Sequence, residues 1–345
     1  MRPLRLRQAL LPAARLVAAG AVALAVLTGC TREARTALPT GIVSGAQSDQ
    51  VLLEPDGGIE PIYALLRSPR ASLDMTMYEL VDDTALQILA ADVSRGVKVR
   101  VVLDQRLQKT HNQPAFDFLH NHGVDVVWAN RRYAATHQKT FVIDDTTAVI
   151  LSLNLTARYY PNTRDFAVVT SDQRDVAAIA AVFDADFAGR TIGPSHADDL
   201  VWSPGAEDAL VALVDGAQVS VAVETEVLSD KPVIEALARA AKRGVKTSLT
   251  MTYQKDWEPN FTLLATAGVA VTYYRGERPI YIHAKAFVVD AGRTGARAYL
   301  GSQNLSSASL TRNRELGIVL TDPATVSSLG VVLGNDAAGA YRWTG

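Results

Sequence analysis

The feature that most constrains this chain is that its body is written twice. Ser72-Leu73-Asp74-Met75-Thr76-Met77-Tyr78 has the composition of a strand, and Ser220-Val221-Ala222-Val223-Glu224-Thr225-Glu226 matches it 148 residues later. A helical pattern follows in each copy, Ala85 to Arg95 and Val233 to Arg243, and each runs into Arg-Gly-Val-Lys. Gly at that point is where a helix C-terminus places it. A β-branched strand comes next, Val97–Leu103 and Val245–Thr250, and then a second helix and strand in which residues 120–127 answer to residues 265–272. Further strands close each half. Alternation of this kind predicts an α/β fold with two similar α/β/α sandwich halves, each holding a largely parallel sheet. Two such units pack about a pseudo-twofold axis as the subunits of a dimer do. The halves are placed at residues 51–195 and 196–345, and with 48% hydrophobic residues the chain can fill both cores.

The repeat also carries chemistry. His137-Gln138-Lys139-Thr140-Phe141-Val142-Ile143-Asp144 and His283-Ala284-Lys285-Ala286-Phe287-Val288-Val289-Asp290 are both His-x-Lys-x4-Asp. If each is a strand, His and Lys share a face, while Asp144 and Asp290 take the opposite parity and fit a structural role at the strand end. Leu151-Ser152-Leu153-Asn154 and Gly301-Ser302-Gln303-Asn304 follow, with Leu where the other copy has Gly. Asp165 lies 28 residues after His137 and Glu315 lies 32 after His283, each preceded by Arg. The difference of four matches an insertion between Asp290 and Gly301, so the acids are equivalent. His111, His120, His122 and His196 have no repeated partner.

One His, Lys, Ser, Asn and acid per half suit phosphoryl transfer without a metal or other cofactor. A neutral imidazole can attack phosphorus, with a carboxylate on its other nitrogen fixing the tautomer. A second, protonated His can give its proton to the leaving alcohol and then activate water. Lys and Asn can hold the phosphate oxygens.

Paired motifs of this form, each followed by Ser-x-Asn, resemble those of the phospholipase D superfamily, and the similarity runs over residues 50–345. The resemblance implies one active site at the interface of the halves, no required metal and a covalent phosphohistidine. It implies His137 and His283 as the catalytic pair, Lys139 and Lys285 on the phosphate, and Asn154 and Asn304 with Ser152 and Ser302 completing the phosphate site. Asp165 and Glu315 orient the histidines. In relatives acting on lipids the N-terminal His is commonly the nucleophile, which gives His137 that role and His283 the acid/base role, although the sequence does not distinguish them.

The N-terminus reads as an address. Arg2, Arg5, Arg7 and Arg15 precede an apolar run from Leu16 to Leu27, and Leu27-Thr28-Gly29-Cys30 ends it. Twelve apolar residues are too few to span a bilayer. The block resembles a bacterial lipoprotein signal over residues 1–29, implying lipidation of Cys30, the only Cys, and a tether over 30–50. Removing residues 1–29 takes away four Arg and no acid, which leaves a formal charge of −6 in place of −2. Phosphate-backbone binding needs an excess of Lys and Arg, so nucleic acid is disfavoured as a partner. The expected activity is hydrolysis of phospholipid headgroup esters at a membrane surface by a lipid-anchored, secreted monomer. A nuclease and a cardiolipin-synthase-like transphosphatidylase stay open. Trp128, Tyr133, Tyr159, Tyr160, Trp257, Tyr273, Tyr274 and Tyr281 are candidates for an apolar mouth, Tyr133 and the Tyr159-Tyr160 pair above all.

Overall fold

The computed structural model describes residues 41–44, 49–193, 199–276 and 279–345. The signal segment, Cys30, most of the tether, His196 and the expected boundary between the halves lie outside the described residues. The first half runs β1 (Ile42–Ser44), β2 (Gln50–Glu54), α1 (Glu60–Leu66), β3 (Ser72–Met77), α2 (Asp83–Ser94), β4 (Lys98–Leu103), α3 (Lys109–Asn121), β5 (Asp125–Trp128), β6 (Thr140–Ile143), β7 (Thr147–Leu151), β8 (Thr163–Thr170) and α4 (Gln173–Phe187). The second half begins with β9 (Leu200–Ser203), α5 (Ala206–Asp215), β10 (Ser220–Glu224), α6 (Lys231–Lys242), β11 (Lys246–Thr252), α7 (Glu258–Thr266) and β12 (Ala270–Tyr274). It continues through β13 (Tyr281–Ile282), β14 (Ala286–Val289), β15 (Arg297–Gly301), α8 (Ser307–Thr311), β16 (Glu315–Leu320), α9 (Pro323–Gly339) and β17 (Tyr341–Arg342). The repeated helices start two residues earlier than their apolar pattern suggests, because Asp82 and Asp230 cap them, accepting from the backbone N–H of Ala85 and Val233.

Strand order is β1-β2-β8-β7-β6-β3-β4-β5 in one sheet and β17-β12-β11-β10-β14-β15-β16-β9 in the other. The expectation of largely parallel sheets is corrected here. Within each half only β3-β4-β5 and β10-β11-β12 pair parallel, and the other neighbours in these orders are antiparallel; the short β13 adds a parallel pairing to β8 from the opposite half. Helical crossovers join the parallel strands, whereas β6 to β7 and β14 to β15 are joined by turns too short for anything but a hairpin. At those turns Asp144 and Asp290 take left-handed φ values of 50° and 54°. The Asp144 carboxylate accepts from the backbone N–H of Arg70, Ala71 and Ser72, and Asp290 does the same for Gln218, Val219 and Ser220. Partial burial opposes ionisation, but these donors hold both carboxyls below the usual range. The motif's aspartates thus tie the start of the central strand to the hairpin.

Helices α1–α3 cover the outer face of the first sheet, with Leu73, Met75, Leu89 and Leu119 in that core. Val223, Leu237, Leu249 and Phe261 occupy the equivalent core of the second half. A third core lies between the sheets, where Ile179 and Val182 of α4 and Leu329 and Val332 of α9 meet Ile150, Val168, Leu300 and Ile318. The halves also exchange backbone. Tyr281 and Ile282 of β13 pair parallel with Thr163 and Arg164 of β8, and Thr136 bridges to Arg314 in the reciprocal place. Among the described residues no helix is long and apolar enough to cross a membrane.

Candidate active site

The two His-x-Lys segments lie just before β6 and β14 rather than within them, since the strands begin at Thr140 and Ala286. Their backbone is used between the halves instead of within a sheet: the N–H groups of His137 and Gln138 donate to the Arg314 carbonyl at 2.9 and 3.0 Å, and His283 N–H donates to the Arg164 carbonyl at 3.3 Å. Each histidine is therefore seated on the strand of the opposite half.

The rings follow the same crossing. His137 Nδ1 lies 2.8 Å from Glu315 Oε2, and His283 Nδ1 lies 2.8 Å from Asp165 Oδ1. With Nδ1 engaged, Nε2 is the free nitrogen of His137. Both histidines and both Asn154 and Asn304 line a cavity of about 490 Å³. The Oδ1 of each Asn is buried with no partner in the chain. Lys139 and Lys285 are fully buried beneath, each Nζ donating to the backbone carbonyl of its own motif's His.

Burial pushes the His137 ring below its ordinary value despite Glu315, so it is neutral near pH 7. Burial likewise pulls the Lys139 ammonium down to about 7, against the attraction of Glu315. Burial also works against ionisation of Glu315, but His137, Lys139 and Ser309 together hold its carboxyl below the usual range.

Ser152 and Ser302, expected in the phosphate site, are buried behind it. Ser152 Oγ donates to Asp165 Oδ1 and accepts from Phe166 N–H, while Ser302 Oγ accepts from Leu316 N–H. Their short side chains turn toward the strand that carries the acid. Glu315 takes its support from Ser309 and Asn313 instead, both donating to Oε1.

Leu151 for Gly leaves the loop path unchanged: Leu151 N–H donates to the Lys139 carbonyl at 2.9 Å, and Gly301 N–H donates to that of Lys285 at 3.2 Å. Gly301 is required in its own half because a Cβ there would meet the Tyr299 hydroxyl and the Gly317 backbone, both at 2.5 Å. The first half has Val149 and Ala167 at the places of Tyr299 and Gly317, which frees the volume that Leu151 fills.

Sequence reasoning missed the arginines. Arg164 is bound by Asp336 of α9 at 2.6 Å and donates to the Glu54 carbonyl at 2.7 Å. Arg314 meets Asp186 of α4 at 2.9 Å and stacks on Tyr133. Each Arg-acid dipeptide thus reaches into the other half in three ways, through guanidinium, carbonyl and acid. The repeated Arg before each acid was the available signal.

Tyr133 is buried beneath Arg314, and Tyr160 is buried with its hydroxyl on Asp82. Tyr159, Tyr160 and Tyr281 line the cavity, but Tyr133, Trp128, Trp257, Tyr273 and Tyr274 do not. Tyr78, Glu79, Glu226 and Glu54 also line it and were not foreseen. Burial, followed by the charge of Asp165, pushes the Glu54 carboxyl up to about 8.

The family model described as "Cardiolipin synthase, PLD-like domain" matches this chain twice, over residues 62–187 and 210–335. The chain belongs to the PLD-like family. Its two PLD-like repeats supply one histidine each to a shared cavity. The phosphatidylserine synthase of Haemophilus influenzae Rd KW20 is similar in structure, with a TM-score of 0.65 at 12% identity over 88% of this chain and 89% of that one. Polyphosphate kinase from Porphyromonas gingivalis gives a TM-score of 0.63 at 16% identity over 83% of this chain. The PLD-like chain spans 50% of that kinase. At these identities the likeness is one of fold. No curated protein sequence matches the chain.

Proposed function

We propose that this PLD-like protein hydrolyses phospholipid headgroup esters through a phosphohistidine. The observation that carries the reading is the crossed pair of His–carboxylate contacts at one cavity. His137 Nε2 attacks phosphorus, the headgroup oxygen leaves with a proton from His283, and water then breaks the P–N bond with His283 as base. Lys139 and Lys285 put positive charge beneath the phosphate, and Asn154 and Asn304 donate to its oxygens.

The lipid half of the reading rests on the surroundings. Among the described residues Glu79, Asp165 and Glu226 put negative charge on the cavity wall and Arg158 is the one lining Lys or Arg, a poor track for a nucleic-acid backbone. At the mouth, Leu107 is 66% exposed immediately before the lining residue Gln108, and Tyr159 is 40% exposed. Exposed apolar side chains beside a polar cavity suit a lipid interface. Lipidation of Cys30 would hold the enzyme on a bacterial membrane's outer face, where such a substrate lies.

The test is incubation with mixed phospholipid vesicles containing ethanol, and separately with single-stranded DNA, both in EDTA, with His137→Ala as the blank. Phosphatidic acid formed by the wild type and absent with the variant is the expected result. Phosphatidylethanol in its place would move the protein to the transphosphatidylases. DNA cleavage without lipid turnover would overturn the lipid reading.

The proposal also fixes a pH profile. His137 attacks only when neutral, so kcat/KM rises with pH through a limb below the ordinary histidine value of 6.5. Lys139 holds the phosphate only as the ammonium, so kcat/KM falls again above about 7. Lys139→Arg, which stays charged, is expected to move the falling limb to higher pH. A falling limb that stays in place in the variant would remove Lys139 from the phosphate site.

A further inference from the structure

The two halves differ at the residues that face the histidines, and one of these differences is chemically decisive. At the repeat spacing of 148 residues, Tyr78 of the first half corresponds to Glu226 of the second. Tyr78 lays its ring edge on His137 at 4.5 Å and under the Lys139 ammonium at 4.8 Å. Glu226 instead places Oε2 3.5 Å from His283 Nε2 and 3.2 Å from Lys285 Nζ. Tyr281 donates to its other oxygen at 3.2 Å.

His283 therefore has a carboxylate on each side of its ring, Asp165 at Nδ1 and Glu226 at Nε2. Lys285 and Tyr281 flank it on its own segment, and Glu54 stands behind Asp165 as their strands pair. Among the described residues His137 has one carboxylate, at Nδ1, and an aromatic ring beside it. The position behind Glu315 that corresponds to Glu54 is held by Ser203. A nitrogen facing a carboxylate is favoured only if it bears a hydrogen, and two such faces call for the imidazolium.

We propose, on the basis of the phosphodiester reading above, that Glu226 is a positioning residue that keeps a proton on Nε2 of His283, making His283 the acid and leaving His137 as the nucleophile. In the first step the P–Nε2 bond forms on His137 while the P–O bond to the alcohol breaks. The leaving oxygen takes the Nε2 proton of His283, whose ring becomes neutral. In the second step His283 Nε2 takes a proton from water, hydroxide bonds to phosphorus, and the P–N electron pair returns to His137. The imidazolium facing Glu226 is restored.

The experiment has two arms on the purified chain. Ring-nitrogen NMR of histidine-labelled protein at pH 7.5, assigned with His283→Asn, reads the protonation of His283 whether or not any substrate is turned over. Wild type is expected to show hydrogen on both ring nitrogens, and Glu226→Gln on one. The second arm compares phosphatidylcholine with the matched phosphatidyl ester of p-nitrophenol, whose leaving group needs no proton. Glu226→Gln is expected to slow choline release by about 10²-fold, the lower end for a lost general acid, and p-nitrophenol release by less than about 3-fold. Glu226→Asp should restore part of the choline rate.

Equal losses on both esters, or a wild-type ring with one bare nitrogen, would overturn the proposal. So would a quenched phosphoryl adduct on His283. If neither ester reacts with wild type, the phosphodiester reading fails while the NMR arm still decides what Glu226 does to the ring.

Discussion

Glu315→Gln is expected to lower turnover by about 10³- to 10⁴-fold without unfolding the protein, the scale on which a His–carboxylate pair matters in catalysis. The size follows from which oxygen holds which partner. Ser309 and Asn313 both donate to Oε1 of Glu315, while His137 Nδ1 faces Oε2. In the Gln variant those two donors fix the amide carbonyl at the Oε1 place and turn the NH₂ toward His137. The ring must then accept at Nδ1, so Nε2 carries the hydrogen and loses the lone pair that attacks phosphorus. Asp165→Asn is the contrast. Its Oδ1 accepts from Ser152 and also faces His283 Nδ1, so the amide oxygen stays toward the ring and the tautomer survives. A loss of about 10-fold to 10²-fold is expected there, from the missing charge. Steady-state kinetics of the two variants, with circular dichroism to show folding, decide the matter. Losses of equal size would mean that the carboxylates act by charge alone and not by setting the tautomer.

Arg314→Met is expected to cost about 3–5 kcal/mol of stability, because removing one partner of a buried pair strands the other. Arg314 and Asp186 are 1% and 5% exposed, and burial already pushes the Asp186 carboxyl above its ordinary range. Without the guanidinium, Asp186 must take up a proton or remain as an uncompensated charge. The double variant Arg314→Met with Asp186→Leu removes both and is expected to recover most of the loss. Urea unfolding midpoints for the single and double variants give the comparison. A double variant as unstable as the single one would show that Arg314 matters through its stacking on Tyr133 rather than through the ion pair.

The repeat made the halves, their βα units and the two motifs legible, because period and spacing are properties of the chain itself. Partnership across the halves is not such a property. Nothing in the order of residues states that Asp165 faces His283 rather than His137; that follows from how the halves meet, with Thr163 and Arg164 pairing with Tyr281 and Ile282. The antiparallel share of each sheet was hidden for a related reason, since a run of strands looks alike whether hairpins or crossovers join it. Leu151 looked like a disturbance because its compensation, Val149 and Ala167 in place of Tyr299 and Gly317, is spread over two neighbouring strands. Buried Arg164 and Arg314 were overlooked because charged residues are rarely interior unless paired, and their partners lie 172 and 128 residues away.

The difference between Tyr78 and Glu226 has a consequence for why the two units share one chain. Two identical polypeptides related by a twofold axis must present the same residue to both histidines, so a homodimer of half-length subunits has no means of telling nucleophile from acid before substrate arrives. Joining the units in a single polypeptide lifts that requirement. Equivalent positions become independent letters, and a division of labour between the histidines can be written into the gene rather than chosen anew at each turnover.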